Sequence, residues 1–201
     1  MGYYIRILGR NLTTPPLKDL QQAAEPAVLE GDEGAEDEWE ALILKHRAGE
    51  PIAFIERNPV IPGELGAEEL QEFIADVSQC QPASAAAWLN QYLPSVKVIY
   101  SFQLLHGTEV DNGFKLMHGV YTALWRHAGG ILQADMEGFS NENGYTILWQ
   151  FSDDVSGAWK VGVLGSDGHW VNFEMDLANR RHREAFWRGE VPVGAKLISE
   201  H

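Results

Sequence analysis

The chain has 201 residues, 45% hydrophobic and 22% charged, a globular composition with enough apolar residues for a sizeable core in one large domain or two small ones. Its formal net charge of −14 disfavours nucleic-acid phosphates and anionic membrane surfaces, and points to basic proteins, cations or small molecules as partners. The single cysteine, Cys80, excludes an intramolecular disulfide, no apolar run approaches the ~18 residues of a membrane span, and the opening MGYYIRILGRN lacks an apolar h-region and a cleavage site, so a soluble, cytoplasmic protein without a signal peptide is expected.

Tyr3 to Leu8 alternates and is β-rich, which predicts a first strand. Thr13-Thr14-Pro15-Pro16 predicts a helix start with a hydroxyl cap and proline in the first turn, followed by a short helix through Leu17 and Leu20. Ala27 to Glu30 is a further strand running into an acidic loop. The carboxylates Glu25, Glu30, Asp32, Glu33, Glu36, Asp37, Glu38 and Glu40 occur there with no Lys or Arg among them.

Trp39 to His46 and Pro51 to Arg57 read as two strands joined by a hairpin turn at Ala48-Gly49-Glu50. Asn58-Pro59 and Ile61-Pro62-Gly63 break the pattern and mark a subdomain boundary near 58–66 within an otherwise single domain, 1–201. Two helices follow, because Leu70, Phe73, Ile74 and Val77, and then Ala85, Trp88, Leu89 and Tyr92, each form one apolar stripe.

Val96 to Leu105 is nearly continuous in apolar residues and predicts a central strand buried on both faces. Phe114, Met117, Tyr121, Leu124 and Ala128 predict a long helix ended by a left-handed cap at Gly129-Gly130, with a strand from Ile131 to Asp135 after it. Tyr145 to Phe151, Trp159 to Leu164 and Trp170 to Asp176 read as an antiparallel meander, with a tight turn at Ser166-Asp167-Gly168. In the last strand Val171, Phe173, Met175 and Leu177 point one way and Asn172, Glu174 and Asp176 the other, as in a sheet with one face buried. Asn179 is placed to cap a final helix that ends at Gly189. The fold class expected is therefore α+β: a mostly antiparallel sheet with a C-terminal β-meander, packed by about four to five helices.

The stretch from Gln133 to Gly144 is the richest in candidate chemistry. Asp135 and Glu137 leave a strand end, and Glu142 follows in a loop rich in side-chain oxygens, the ligand type that Ca²⁺ or Mg²⁺ requires. Carboxylates in unlike surroundings also serve acid–base work. The spacing does not match the calcium-loop pattern, and Asn143-Gly144 suits a hairpin turn, so a capped polar turn is the commoner use of such residues. No two histidines have the i, i+4 spacing of a helical metal site, and hydrogen-bonded or surface roles are expected for them.

Among the tryptophans, Trp149 shares the alternation of Ile147 and Phe151 and belongs to a core, whereas Trp170 lies on the polar side of its strand and is the candidate for ligand stacking. Arg180, Arg181 and Arg183 form a candidate anion site, although in so acidic a chain they equally suit neutralisation of the protein's own carboxylates, within the molecule or in a homo-oligomer. Cys80 has no partner motif and reads as an inert, partly buried thiol.

No phosphate-loop, nucleophile-elbow, zinc or dinucleotide motif is present, and nothing fixes a reaction or a cofactor. The character of the chain favours a binding protein, immunity- or inhibitor-like, that recognises a basic protein. An enzyme or divalent-metal-dependent binder using Asp135, Glu137 and Glu142 is the alternative.

Overall fold

The computed structural model describes residues 2–31, 38–110, 112–152 and 154–199. It is an α+β protein with a strand-rich, mostly antiparallel architecture and five α-helices among the described residues. The chain divides into two compact units. The first comprises Met1–Glu69 and Val96–Gly130, the second Leu70–Ser95 and Ile131–His201.

In the first unit, β1 (Tyr4–Gly9), β5 (Val98–Leu104), β4 (Pro51–Pro59), β3 (Ala41–Lys45) and β2 (Val28–Gly31) lie side by side in that order, every pair antiparallel. The apolar run from Val98 to Phe102 is buried at every position, as its lack of alternation predicted for a central strand. Its Phe102 ring meets Tyr121 of α4 (Gly113–Ala128) edge to face, with centroids 5.3 Å apart. α1 (Leu17–Ala24) packs against α4. Gly119 permits their close approach, because a Cβ there would lie 2.5 Å from the Ala23 carbonyl oxygen.

β2 is the outer strand of this unit. The Gln21 side chain from α1 caps it, accepting from the Leu29 N–H at 2.8 Å and donating to the Ala27 carbonyl at 3.2 Å. A blocked edge of this kind discourages unwanted strand pairing.

Several expectations need correction. α1 has no hydroxyl cap: Pro16 occupies the N-cap, and Thr13 instead donates its hydroxyl to the Asn11 side chain at 2.9 Å. β4 continues through Asn58 and Pro59, which pair with Ile99 and Val98, since a proline at the end of a strand forfeits little of the ladder. Phe114, in the first turn of α4, is 54% exposed, whereas Met117, Tyr121, Leu124 and Ala128 are buried. Gly129 ends α4 with positive φ, but its ψ of 122° lies outside the left-handed helical well.

The second unit contains most of α2 (Leu65–Val77) and of β6 (Gly130–Ala134), and all of α3 (Ala83–Tyr92), β7 (Gly138–Ser140), β8 (Thr146–Leu148), β9 (Ala158–Leu164), β10 (Trp170–Asp176), α5 (Arg180–Trp187) and β11 (Lys196–Leu197). The strands run β6-β7-β8-β9-β10-β11. All pairs but one are antiparallel; β8 and β9 are parallel, joined at Thr146 and Val161. The expected strand from Tyr145 to Phe151 therefore ends at Leu148. Beyond it the Trp149 carbonyl accepts the Trp187 indole N–H at 2.9 Å, so this backbone is drawn to α5 rather than into the ladder.

Trp149, Phe151, Phe173, Met175, Leu177 and Phe186 centre the core of this unit. β10 was expected to bury one face only, yet Asn172 is 4% exposed. At the start of that second face Trp88 of α3 sits edge to face on Trp170 with centroids 5.2 Å apart, whereas Asp176 at its end is exposed. Asn179 caps α5 as predicted, its side-chain oxygen accepting from the Arg181 N–H at 3.0 Å.

Candidate interaction site

The predicted carboxylates fall on two turns at opposite ends of the short strand β7. Asp135 and Glu137 belong to the turn between β6 and β7, which closes through the Glu137 N–H donating to the Ala134 carbonyl at 3.1 Å. Glu142 belongs to the turn between β7 and β8. There the Asn141 side-chain oxygen accepts from the N–H groups of Asn143 and Tyr145, and the Gly144 N–H donates to the Asn141 carbonyl. Glu142 lies 3.4 Å from the Tyr92 hydroxyl, which donates to it. The structure thus brings Asp135 and Glu137 together and keeps Glu142 apart. Among the described residues no group of three His, Cys, Asp or Glu side chains is placed to hold a metal ion.

The β6–β7 turn has a feature that the sequence reading passed over. Met136 sits between the two carboxylates at φ +62°, in the left-handed region, and its side chain is 85% exposed. An L-residue with a Cβ is disfavoured there by about 1–2 kcal/mol, and turns of this shape ordinarily use Gly or Asn. Three local constraints hold the strain. The Glu137–Ala134 hydrogen bond closes the turn, and Gly138 follows at φ +78° where a Cβ would strike the Leu148 carbonyl. The third is Trp149, whose indole N–H donates to the Met136 carbonyl at 2.5 Å. Trp149 is itself 7% exposed and wedged against Phe151 and Trp159, each with its centroid 5.1 Å away. A core side chain therefore positions an exposed, flexible, polarisable one between two acids. No signal in the sequence marks Met136, since nothing about methionine predicts positive φ.

The other candidates are dispersed. Trp170 is half-buried, and Trp88 takes up part of its ring surface while stacking on Tyr92 at 4.8 Å. Arg180, on the exposed side of α5, pairs with Glu184 at 2.8 Å. Arg183 is buried and donates from Nη1 to the Leu177 carbonyl at 2.6 Å. Arg181 is exposed. A cleft of about 360 Å³ adjoins Arg180, Arg183, Phe151 and Trp187, but Glu184 lines it too.

Cys80 is partly buried, and its thiol donates to the Asp76 carbonyl at 3.4 Å. Burial, and secondarily the Asp76 charge, push its pKa above the ordinary thiol value. Of the acidic run, Glu25, Glu30, Glu38 and Glu40 are exposed, while Asp32, Glu33, Glu36 and Asp37 lie outside the described residues. Among the described residues no helix is long and apolar enough to cross a membrane. No family model matches the chain, and neither a curated protein nor a solved structure is similar to it.

Proposed function

We propose that this chain is a cytoplasmic, acidic interaction protein, immunity- or inhibitor-like, that recognises a basic protein through the β6–β7 turn. The observation that carries this reading is Met136: strained, almost fully exposed, flanked by Asp135 and Glu137, and held by the Trp149 indole. Backbone strain lowers the stability of the isolated protein, and strained residues cluster at functional sites and ligand clamps. Methionine adapts its shape to an apolar recess, and the two carboxylates address cationic groups around that recess. The net charge of −14 adds long-range attraction toward a basic partner and repulsion from nucleic acid and anionic membranes.

The test is cross-linking from residue 136 in cells, followed by binding measurements on the captured partner. A basic partner is expected, with affinity falling steeply between low and high salt. Binding should weaken by about tenfold or more in Met136→Ala and in the Asp135→Asn, Glu137→Gln double variant. Tight association that ignores salt and both variants would overturn the proposal.

A further inference from the structure

The first unit carries a cleft of about 540 Å³ that the β6–β7 turn does not use. It lies between the end of α1, the β3–β4 hairpin and the start of α4, and its volume is that of a small-molecule site. Pro26, Val110 and Leu116 supply apolar lining. Four formally charged side chains line the same space: the cations Arg47 and Lys115, and the carboxylates Glu25 and Glu50.

These charges do not neutralise one another. Among the described residues, no carboxylate lies within 4.0 Å of a charged nitrogen of Arg47 or Lys115, and Glu25 has no ion-pair partner. Among the described residues the Glu50 carboxylate pairs with the exposed His106 alone, at 3.7 Å. Opposite charges facing one cleft without bridging each other remain available to a ligand. A simple anion would meet the two carboxylates, and a simple cation would meet the two bases. A molecule carrying both charges satisfies both sets.

The walls are already fixed. The Arg47 Nε donates to the Pro26 carbonyl at 2.9 Å, and the His46 Nε2 donates to the Gly107 carbonyl at 2.9 Å, tying the hairpin to the segment before α4. Thr108 anchors that segment to Ile52 through its hydroxyl at 2.5 Å. Preorganisation of this kind lowers the cost of binding. The start of α4, where Asn112 offers no side-chain cap, adds positive potential on the Lys115 side.

We propose that this cleft binds a small zwitterion with an apolar body, a free amino acid or a short peptide. Its carboxylate meets Arg47 and Lys115, its ammonium meets Glu25 and Glu50, and its side chains lie on Pro26, Val110 and Leu116.

The probe is the dipeptide Leu-Leu, compared with its N-acetylated and its C-amidated forms, by calorimetry and amide NMR titration of the full chain. Leu-Leu is expected to bind and to shift resonances of residues 46–50 and 112–116. Each blocked form should bind at least about tenfold more weakly, as should Leu-Leu to Lys115→Met and to Glu25→Gln. Lys115→Arg should retain binding. The Asp135→Asn, Glu137→Gln variant should bind Leu-Leu unchanged, which separates this site from the turn. Absence of shifts at these residues up to millimolar Leu-Leu, or equal binding of either blocked form, would overturn the proposal.

Discussion

The indole N–H of Trp149 donates to the carbonyl of Met136 at 2.5 Å, linking a buried aromatic cluster to a turn whose central side chain is 85% exposed. Met136 holds φ +62° under this bond, so the core stabilises a backbone conformation that its own side chain disfavours.

Replacing Met136 with glycine relieves the strain without touching the Trp149 bond. The expected gain is about 1 kcal/mol, or about 2–4 °C in Tm for a chain of this size, measured by urea and thermal unfolding. Met136→Ala keeps the Cβ and leaves stability nearly unchanged. Trp149→Phe removes the donor and is expected to cost about 1–3 kcal/mol, part from the lost hydrogen bond and part from lost volume. A destabilised Met136→Gly protein would show that the turn is not strained.

The arginines of α5 separate cleanly by burial. Arg183 is 5% exposed and satisfies the Leu177 carbonyl, so Arg183→Ala leaves a buried acceptor unpaired and opens a cavity; a loss of about 2–4 kcal/mol is expected. Arg180 pairs with Glu184 in solvent, and Arg180→Ala should fall within about 0.5 kcal/mol of the parent. Denaturant titration of the two variants decides whether this cluster is structural at Arg183 alone.

Cys80 should alkylate slowly at neutral pH. Its thiol pKa is raised first by burial and then by Asp76, so the rate of reaction with iodoacetamide should rise with a midpoint above the ordinary thiol range. Asp76→Asn should lower that midpoint. The neutral thiol is the form the fold favours, so its contribution to stability is present below the unfolded pKa and is lost as pH rises through the raised one. A midpoint at or below the free-thiol value would contradict this.

Gly119 lies where α1 crosses α4, and a Cβ would stand 2.5 Å from the Ala23 carbonyl oxygen. Gly119→Ala is therefore expected to cost about 1–3 kcal/mol despite the better helix propensity of alanine. Native-state hydrogen exchange in α1 and α4 should report the loss locally.

Much of the fold was legible because periodicity is a local consequence of backbone geometry. The nearly continuous apolar run from Val96 to Leu105 predicted a strand covered on both faces, and β5 lies between β1 and β4. The stripes ending at Val77 and Tyr92 became α2 and α3, and Asn179 became an N-cap. Local pattern misled where partners decide the outcome. Nothing in the alternation of Tyr145 to Phe151 indicates that Trp187 will take the Trp149 carbonyl, end β8 after Leu148 and leave it parallel to β9. Nothing in β10 indicates that Trp88 will pack on Trp170 or that Asn172 will be buried.

The sequence by itself determined the acidity, the single unpaired cysteine and the order of most helices and strands, since each is a property of composition or of spacing along the chain. Tertiary structure alone decided which charged side chains share a surface. Asp135 and Glu137 stand at one end of β7 and Glu142 at the other, because a short antiparallel strand sends its two flanking turns in opposite directions. Arg47 and Lys115, far apart in the chain, line one cleft with Glu25 and Glu50, because the hairpin, α1 and α4 meet there. Side-chain charge is written in the sequence, but what it faces depends on long-range packing.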